Sequence, residues 1–282
     1  MTALAQKNDA ATAYDDLAPH YDDFTAAYAH DAWVDAIERR ATELGLTGRR
    51  ALDLACGTGK STLPLLERGY SVLGCDISEG MVREARRKLP EYSDAFLVAD
   101  MRDLPPVGEF DLVLCLDDAV NYLVSVEELE ETFAGVASVL ASDGVFAFDL
   151  KSLATYRESF TRSIVREREG LFYAWKGEST KSLRPGELAS ATLEIFIERD
   201  DGLWERRSSR HVQRHHRPPT VRKALARSGL ECRLIAGQLP GARLEPTFDE
   251  RRHIKLLYFA GHARRGAEAA PWRHRAAELD VG

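Results

Sequence analysis

The sequence predicts an α/β fold in which a doubly wound sheet carries an inserted small antiparallel β-sheet. From Arg50 onward, apolar strand-like runs alternate with helical patterns, which predicts a parallel sheet with helices on both faces. Residues 164–213 alternate polar and apolar side chains between turn signals, which predicts antiparallel strands. Residues 230–236 and 255–260 predict a closing antiparallel hairpin, with a loop from Gly237 to Arg252 between its strands.

The core elements follow one another as strand, helix, strand, helix. The predicted strands of the core are 50–56, 71–76, 95–99, 110–116 and 145–150, and the predicted helices are 59–68, 79–88, 127–140 and 221–228. The predicted strands of the insertion include 171–175, 191–197 and 203–207. In a doubly wound sheet the ligand lies at the carboxyl ends of the strands, so the site is expected there.

A glycine-rich turn at Gly57 and Gly59 follows the first strand, and the next helix is expected to start near Thr58 or Gly59. Two glycines let the backbone turn tightly and approach a ligand without a Cβ in the way. The turn is not a P-loop, because the first glycine of that motif would fall on Leu54. A dinucleotide-binding turn needs a third glycine at a position that Thr62 occupies here.

Two carboxylates at strand ends indicate the charge of the ligand. Asp53 lies just before the turn, where it would repel a diphosphate and attract an ammonium or sulfonium group. Asp76 ends the second strand, where a carboxylate can accept hydrogen bonds from both hydroxyls of a ribose. A cationic amino-acid end beside Asp53 and a ribose beside Asp76 together describe S-adenosylmethionine.

These segments carry a family resemblance. Residues 53–59, Asp-Leu-Ala-Cys-Gly-Thr-Gly, are similar to motif I of class I S-adenosylmethionine-dependent methyltransferases. Residues 74–78, Gly-Cys-Asp-Ile-Ser, followed by Met81, are similar to the segment that succeeds it. The resemblance covers residues 14–150 well and implies a Rossmann-like core with S-adenosyl-L-methionine as its cofactor.

The resemblance also implies roles for single residues. Tyr21 would contact the methionine end, Ile77 would lie against the adenine, and Leu116 would accept from the methionine amine through its carbonyl oxygen. Asp100 would accept from the adenine amine and Met101 would donate to the ring, although Asp100 alternatively caps a helix. The predicted cofactor-binding residues are Tyr21, Asp53, Ala55, Gly57, Gly59, Asp76, Ile77, Met81, Asp100, Met101 and Leu116.

The fourth strand ends in residues 117–123, Asp-Asp-Ala-Val-Asn-Tyr-Leu. Enzymes that methylate nucleobase amines usually carry Asn/Asp-Pro-Pro-Tyr/Phe at this point, and its absence here argues against a nucleic-acid substrate. The segment resembles the acceptor side of bacterial small-molecule methyltransferases. By that resemblance Asp117 is a candidate catalytic residue and Asn121 and Tyr122 are candidate substrate contacts, with capping or core packing as the alternative for each.

The resemblance and the element order divide the chain into domains. Residues 1–46 are expected to form an N-terminal helical lid over the donor, and residues 47–150 and 216–262 the cofactor-binding core. Tyr14 of the lid would face the acceptor and is a candidate catalytic residue, whereas simple packing is its alternative role. Residues 263–282 are charged and alanine-rich, which favours a disordered tail.

Residues 151–215 form the predicted insertion, which resembles the sheet that covers the acceptor pocket in sugar N-methyltransferases and often forms their dimer contact. Trp175 is a candidate substrate contact within it. His211, Gln213 and His215 would share one face of a strand. A histidine there could take a proton from the acceptor, with Gln213 as a substrate contact. Structural, metal-binding and nucleic-acid roles are the alternatives, although no further ligands occur at metal-site spacing.

Composition limits the class of protein. The 282 residues are 44% hydrophobic and 29% charged, with a net charge of −7, which suits a large α/β unit and disfavours a nucleic-acid partner. No run approaches the ~20 apolar residues of a membrane span, and the N-terminus lacks the apolar centre of a signal peptide. The four cysteines show no paired or metal-type spacing, which favours a reducing, cytoplasmic location.

The sequence therefore predicts a methyltransferase that moves a methyl group by in-line displacement to a nitrogen, carbon or oxygen atom of a small metabolite. Bacterial secondary metabolism is the expected setting, and a homodimer through the inserted sheet is expected. The alternatives are an NAD(P)-dependent oxidoreductase and a non-catalytic protein that binds the donor. The candidate catalytic residues are Tyr14, Asp117, His211 and His215, and no metal is expected.

Overall fold

The computed structural model describes residues 10–263, so the predicted tail lies, apart from Ala263, outside the described residues. The strands in this range are β1 Arg50–Leu54, β2 Ser71–Asp76, β3 Phe96–Val98, β4 Phe110–Cys115, β5 Leu140–Lys151, β6 Ser163–Arg168, β7 Leu171–Gly177, β8 Leu188–Glu198, β9 Trp204–Arg214, β10 Leu230–Leu239, β11 Arg243–Glu245 and β12 Lys255–His262. The α-helices are α1 Ala10–Leu17, α2 Tyr21–Phe24, α3 His30–Glu43, α4 Thr62–Glu67, α5 Glu79–Lys88, α6 Val126–Val139, α7 Leu153–Ser159 and α8 Pro218–Arg227.

The central sheet has eight strands in the order β11-β10-β12-β5-β4-β1-β2-β3. Strands β1 to β5 pair in parallel, whereas β12 and β10 close the sheet as an antiparallel hairpin. The chain winds outward in both directions from β1 and β4, so a crevice forms where their carboxyl ends diverge. The predicted doubly wound sheet and closing hairpin are confirmed.

Buried side chains cover both faces of this sheet. On one face, Phe133 of α6 and Leu225 of α8 pack against Phe146 and Phe148 of β5. On the other face, α3 and α4 pack against alternate residues of the same strands, including Val145 of β5. Successive strand residues point to opposite faces, and a strand buried on both faces has an almost continuous apolar sequence, as β4 and β5 do.

Some element boundaries differ from the predictions. Helix α4 starts at Thr62, because Ala55, Gly57 and Gly59 adopt positive φ angles of 59°, 54° and 81° that are incompatible with a right-handed helix. The predicted loop from Gly237 to Arg252 contains the end of β10 and the short strand β11. Helix α7, which was not predicted, follows β5 and precedes the insertion.

The insertion contains a separate antiparallel sheet in the order β6-β7-β8-β9, as predicted. Its inner face packs on the lid, where Leu17 of α1 lies in one cluster with Leu171, Tyr173 and Leu193. Leu203 and Trp204 are exposed large apolar residues at the turn into β9. The division of the chain into domains stays a prediction.

The N-terminal helices are attached to the core by two carboxylates. Asp15 Oδ1 accepts from Ser78 Oγ at 2.5 Å and from the Gly80 N–H at 2.8 Å, at the start of α5. Asp22 Oδ1 accepts from Thr58 Oγ1 at 2.5 Å, and its other oxygen pairs with Lys88. These contacts hold the helical segment over the carboxyl edge of the parallel strands.

Candidate functional site

A cavity lies at the carboxyl ends of β1, β2 and β4, beneath the N-terminal helices. We call it the first cavity. It is lined by Ala10, Tyr14, Tyr21, His30, Ala55, Cys56, Gly57, Lys60, Ser61, Asp76, Ile77, Met81, Met101, Leu116, Asp117, Ala119 and Tyr122. A narrow side groove continues from it past Asp100 and shares Ala55, Asp76, Ile77 and Met101 with it.

Asp76 lies at the end of β2, facing the glycine turn. Its Oδ2 accepts from the Gly57 N–H at 2.9 Å, and its Oδ1 accepts from the Ser78 N–H at 2.9 Å. Burial raises the pKa of Asp76 to about 6, although these two backbone donors lower it. Each carboxylate oxygen can still accept a second hydrogen bond, so Asp76 can receive two hydroxyls from a ligand.

The turn leaves room for a ligand beside Asp76. A Cβ added at Gly57 would come within 3.6 Å of the Tyr21 ring and within 4.0 Å of Met81 Sδ, so a side chain there would occupy the cavity. At Gly59 the added atom would instead meet Leu89 at 3.3 Å and Phe96 at 3.5 Å. Gly57 therefore opens the cavity, whereas Gly59 allows the turn to pack on the protein interior.

Asp53 lies beneath the turn and does not line the first cavity. Its Oδ2 accepts from Ser61 Oγ at 2.7 Å and from Thr62 Oγ1 at 2.6 Å. Its Oδ1 is buried and has no hydrogen-bond partner among residues 10–263. Burial raises the pKa of Asp53 to about 6. The expected position directly against the ligand is therefore wrong, because the carboxylate is buried behind the first residues of α4.

Most other predicted cofactor residues reach the cavity or its groove. Tyr21, Ala55, Ile77, Met81, Met101 and Leu116 line the first cavity. Asp100 lines the side groove, and its carboxylate pairs with Arg102 at 2.6 Å. Burial raises the pKa of Asp100, but the hydrogen bonds from Arg102 outweigh burial and hold the pKa below its usual value. The carboxylate also caps the short turn at Met101–Asp103, the alternative role expected from the sequence.

Asp117, just after β4, lies between two cavities. Asp117 and Asp118 both adopt left-handed backbone angles, with φ of 56° and 57°. Non-glycine residues occupy this region only at a cost in energy, so surrounding contacts must hold it. Asp117 Oδ2 lies 2.7 Å from His30 Nε2, and its Oδ1 lies 3.5 Å from Lys255 Nζ. Burial raises the pKa of Asp117, but Lys255 and His30 hold it well below its usual value.

A buried cluster of charges supports this bend. The Lys255 ammonium lies 2.9 Å from Asp118 Oδ1 and 2.9 Å from Asp149 Oδ2. Asp149 Oδ1 accepts from the Asp118 N–H at 2.5 Å, and Lys151 pairs with the second oxygen of Asp118. The carboxylates Asp149 and Asp117 raise the pKa of Lys255, although burial lowers it. The cluster fixes the left-handed pair through side chains and one backbone N–H.

A second cavity of about 290 Å³ lies under the inner face of the four-stranded sheet. It shares Tyr14, Tyr21, Asp117 and Tyr122 with the first cavity, so these four residues form a common wall. Trp175 and Gln213 also line it, and their role as substrate contacts stays a prediction. The Trp175 indole N–H donates to the Ser159 carbonyl at 2.7 Å, which fixes its ring against the cavity.

A chain of hydroxyls and an imidazole crosses this wall. Tyr14 Oη lies 2.9 Å from Tyr122 Oη, which lies 2.8 Å from His211 Nδ1. His211 Nε2 in turn lies 3.0 Å from Ser209 Oγ. Burial lowers the pKa of His211 to about 4, so its imidazole is neutral near pH 7. Burial raises the pKa of Tyr122 to about 12. The imidazole can accept a proton through Nδ1 if the other nitrogen carries the hydrogen.

Two predicted site residues lie away from both cavities. Asn121 donates from its amide nitrogen to the Arg214 carbonyl at 2.8 Å and accepts from the Lys151 N–H at 3.0 Å. His215 is fully buried and lies 2.9 Å from Glu250 Oε1. It follows the end of β9, so it does not continue the strand face that carries His211 and Gln213. Both residues join the insertion to the core.

Sequence reasoning missed His30 and Lys60. His30 holds Asp117 and Lys60 lines the first cavity, with its ammonium 2.9 Å from Thr25 Oγ1. The His30 contact joins residues 87 positions apart, so no local pattern indicated it, whereas Lys60 follows Gly59 in the turn after β1. Within residues 10–263, no group of three or more His, Cys, Asp or Glu side chains could hold a metal ion. In the same range no helix has the length and apolar character needed to cross a membrane.

Comparisons with known proteins agree with this architecture. Residues 51–144 match the family model described as a methyltransferase domain. The YqeM protein of Bacillus subtilis (strain 168), a candidate methyltransferase, is 29% identical over 251 residues, which are 86% of this chain and 98% of that protein.

Two solved structures share the fold. One is an S-adenosylmethionine-dependent methyltransferase from Clostridium acetobutylicum ATCC 824, with a TM-score of 0.73 and 24% identity over 89% of this chain and 99% of its own. The other is CalS10, an amino pentose methyltransferase from Micromonospora echinaspora solved with S-adenosylmethionine bound. Its TM-score is 0.64, with 22% identity over 87% of this chain and 96% of its own.

Proposed function

We propose that the chain, which has the class I fold, is an S-adenosylmethionine-dependent methyltransferase that methylates a small molecule held in the second cavity. The observation that carries the proposal is the common wall of Tyr14, Tyr21, Asp117 and Tyr122 between two adjoining cavities. A donor on one side and an acceptor on the other would meet across these four residues. The alternative of a nicotinamide-dependent oxidoreductase is not supported by the family match.

The residues of the first cavity fit the donor. The two free lone pairs of Asp76 suit the two ribose hydroxyls, and the side groove beyond Ile77 suits a flat ring beside Asp100 and Met101. The space opened at Gly57 lies against Tyr21 and Met81, and a side chain at this position would fill part of it. When bound, S-adenosylmethionine supplies an electrophilic methyl group that an in-line nucleophile can displace.

The protein's own contribution is positioning and proton transfer. Holding the acceptor atom at about 3 Å from the methyl carbon, opposite the sulfur, lowers the barrier without covalent catalysis. If the acceptor atom carries a proton, Tyr122 can take it while passing its own hydroxyl proton to His211 Nδ1. The neutral state of His211 supports this role, because an imidazolium could not accept. Tyr14 would hold the Tyr122 hydroxyl in place.

Asp117 would act on the charge of the acceptor. Its carboxylate stays ionised and faces both cavities, so it can attract an amine or the sulfonium itself. A nitrogen acceptor is in keeping with the amino pentose substrate class named for CalS10, and an oxygen acceptor uses the same tyrosine–histidine chain. A setting in bacterial secondary metabolism rests on the same likeness, since CalS10 takes part in calicheamicin biosynthesis.

A homodimer through the four-stranded sheet belongs to the same proposal. Val165 on β6, Leu203 and Trp204 are exposed apolar side chains of that sheet and its turn. Such side chains favour burial against a partner, and an isologous contact would place two sheets together. Sedimentation of the full chain at micromolar concentration would show a dimer.

The test of the function is transfer of an isotopically labelled methyl group from the donor to pools of amino sugars, other amines and hydroxylated metabolites. We expect a labelled product with the wild-type chain and none with Asp76→Ala, which should lose the donor. Binding of S-adenosylhomocysteine without transfer to any pool would instead identify a non-catalytic protein that binds the donor.

A further inference from the structure

The second cavity has a charged side formed by one face of β6. Ile164, Arg166 and Arg168 alternate along this strand, and all three line the cavity. Residues two apart on a strand point to the same face, so the register itself places both guanidinium groups on the cavity side. Arg166 pairs across the strands with Tyr173, which also lines the cavity.

These two arginines differ from the charged groups at the other side of the cavity. Asp117 and Asp118 are contacted by lysine ammonium groups of the buried cluster. Arg166 and Arg168 are exposed, and within residues 10–263 neither has an ion pair or a side-chain hydrogen bond. The positive charge on this side of the cavity is therefore free for a ligand, whereas Asp118 near the wall is already paired with Lys151 and Lys255.

The strand register gives the spacing of the two arginines along the cavity. Ile164 lies opposite Trp175, whose ring centroid is 5.3 Å from that of His211 near the common wall. Each strand residue adds about 3.3 Å, which places Arg166 about 7 Å and Arg168 about 13 Å further along than Ile164. Aromatic rings line the space between them, with Phe24 and Tyr173 centroids 5.0 Å apart. A molecule that reaches from the wall to the arginines would have an extended, partly apolar middle.

We propose that Arg166 and Arg168 form an anion subsite, so that the acceptor carries a phosphate or carboxylate group at the end remote from the atom that is methylated. The planar guanidinium matches both anions through two parallel N–H···O bonds, and a pair of arginines on one strand can hold both ends of a diphosphate. This inference rests on the proposed function, since it names the class of acceptor for the same cavity.

The test measures binding of two simple anions to the full chain by calorimetry. Inorganic pyrophosphate represents the phosphate source and succinate the carboxylate source. We expect one of them to bind wild type, with at least tenfold weaker binding to the double variant R166Q/R168Q; whichever binds more tightly identifies the anionic group. The matched control is R184Q/R199Q, which removes the same charge from exposed arginines that pair with Glu187 and Asp201, outside the cavity.

Two results would overturn the subsite: no binding of either anion to wild type, or equal affinity in wild type and R166Q/R168Q. S-adenosylhomocysteine affinity should stay within about twofold in all variants, since the first cavity does not include β6. Failure of the proposed function has a different signature. In that case wild type would transfer no methyl group, but the anion would still bind R166Q/R168Q more weakly than the control variant.

Discussion

The two cavities differ in how their residues are distributed along the chain. Apart from the lid and His30, the first cavity is lined by residues between positions 55 and 122, each at or just after a strand end. The second cavity draws its lining from positions 14 to 213, on the lid, the core and all four strands of the inserted sheet. The first is therefore built by local turns on one sheet edge, and the second by packing between distant segments.

The physical origin of that difference lies in what fixes each side chain. In the first cavity, the left-handed backbone at Ala55 and Gly57 is set by neighbouring residues of the turn. The two backbone N–H groups that donate to Asp76 are supplied by that turn and by the residue two positions after Asp76, at the ends of one pair of strands. The position of His211 depends on its register opposite Ala191 and on the Tyr122 hydroxyl, 89 positions away. Substitutions in the first cavity should therefore affect donor affinity, and those in the second should affect turnover.

The largest expected effect is on donor binding. Asp76→Ala removes both carboxylate oxygens that would hold the ribose, and each charge-assisted bond contributes about 1.5–3 kcal/mol. S-adenosylhomocysteine affinity should fall about 10²- to 10³-fold by calorimetry. The control is Asp111→Ala at the start of β4, away from both cavities, where the carboxylate bonds Arg49 and Arg50. Unchanged affinity in Asp76→Ala would show that the donor lies elsewhere.

The next effect is a pH dependence of the protein's folding stability that arises from His211 in the second cavity. Burial lowers the pKa of His211 from its ordinary value of about 6.5 to about 4. As pH falls, His211 takes up its proton in the unfolded chain before it does so in the folded protein. The stability that neutral His211 contributes is therefore fully present above pH 6.5 and is lost as pH falls towards 4. His211→Asn should be less stable than wild type at pH 7, and the gap should narrow by about 3 kcal/mol by pH 4.

Urea unfolding at a series of pH values measures that gap. His216, whose pKa burial also lowers to about 4, offers a second example in His216→Asn. Asp53 and Asp76, with pKa values raised by burial, act in the opposite direction over the same range, so only the difference between variant and wild type is informative. A gap that stays constant from pH 7 to pH 4 would contradict the buried neutral imidazole.

The third prediction separates the two cavities by kinetics. Tyr122→Phe keeps the ring but removes the hydroxyl between Tyr14 and His211. For an acceptor identified by labelling, kcat should fall about 10²-fold, because general-base contributions are typically of this order. Affinity for S-adenosylhomocysteine should change less than about threefold. Tyr92→Phe, an exposed ring outside both cavities, is the control, and an equal loss in both variants would rule out the relay.

The smallest effect concerns attachment of the lid. Asp15→Ala removes the bonds to Ser78 Oγ and the Gly80 N–H, so the tyrosines of the lid should be held less firmly over the first cavity. We expect S-adenosylhomocysteine to dissociate about threefold to tenfold faster in stopped-flow experiments, as loss of about 1 kcal/mol implies. Asp31→Ala removes an exposed pair with Arg68 and should leave the rate unchanged. Equal rates in both variants would mean that Asp15 does not hold a lid.

The sequence predicted what depends on periodicity and local turn chemistry. Strand β2 and helix α5 have the predicted bounds of 71–76 and 79–88, because an apolar run followed by Ser78, which caps α5, defines both ends locally. The late start of α4 was missed because positive φ at Ala55 is unusual for a residue with a Cβ. That late start also buries Asp53, which the charge pattern alone placed against the ligand.

Long-range contacts account for the rest. His30 at the start of α3 meets Asp117 after β4 across 87 positions of sequence, and His215 leaves the face of His211 because β9 ends at Arg214. Asn121 was predicted as a substrate contact from its place after β4, but its amide bonds backbone atoms of two other segments. In each case a partner distant in sequence decides where the side chain lies.

The most direct test of the account is a crystal structure of the chain with S-adenosylhomocysteine. We predict the ribose hydroxyls within hydrogen-bond distance of both Asp76 oxygens, and the sulfur facing the wall of Tyr14, Asp117 and Tyr122 with the second cavity beyond it. A ligand bound outside the first cavity, or a sulfur directed away from that wall, would contradict the proposed path of the methyl group.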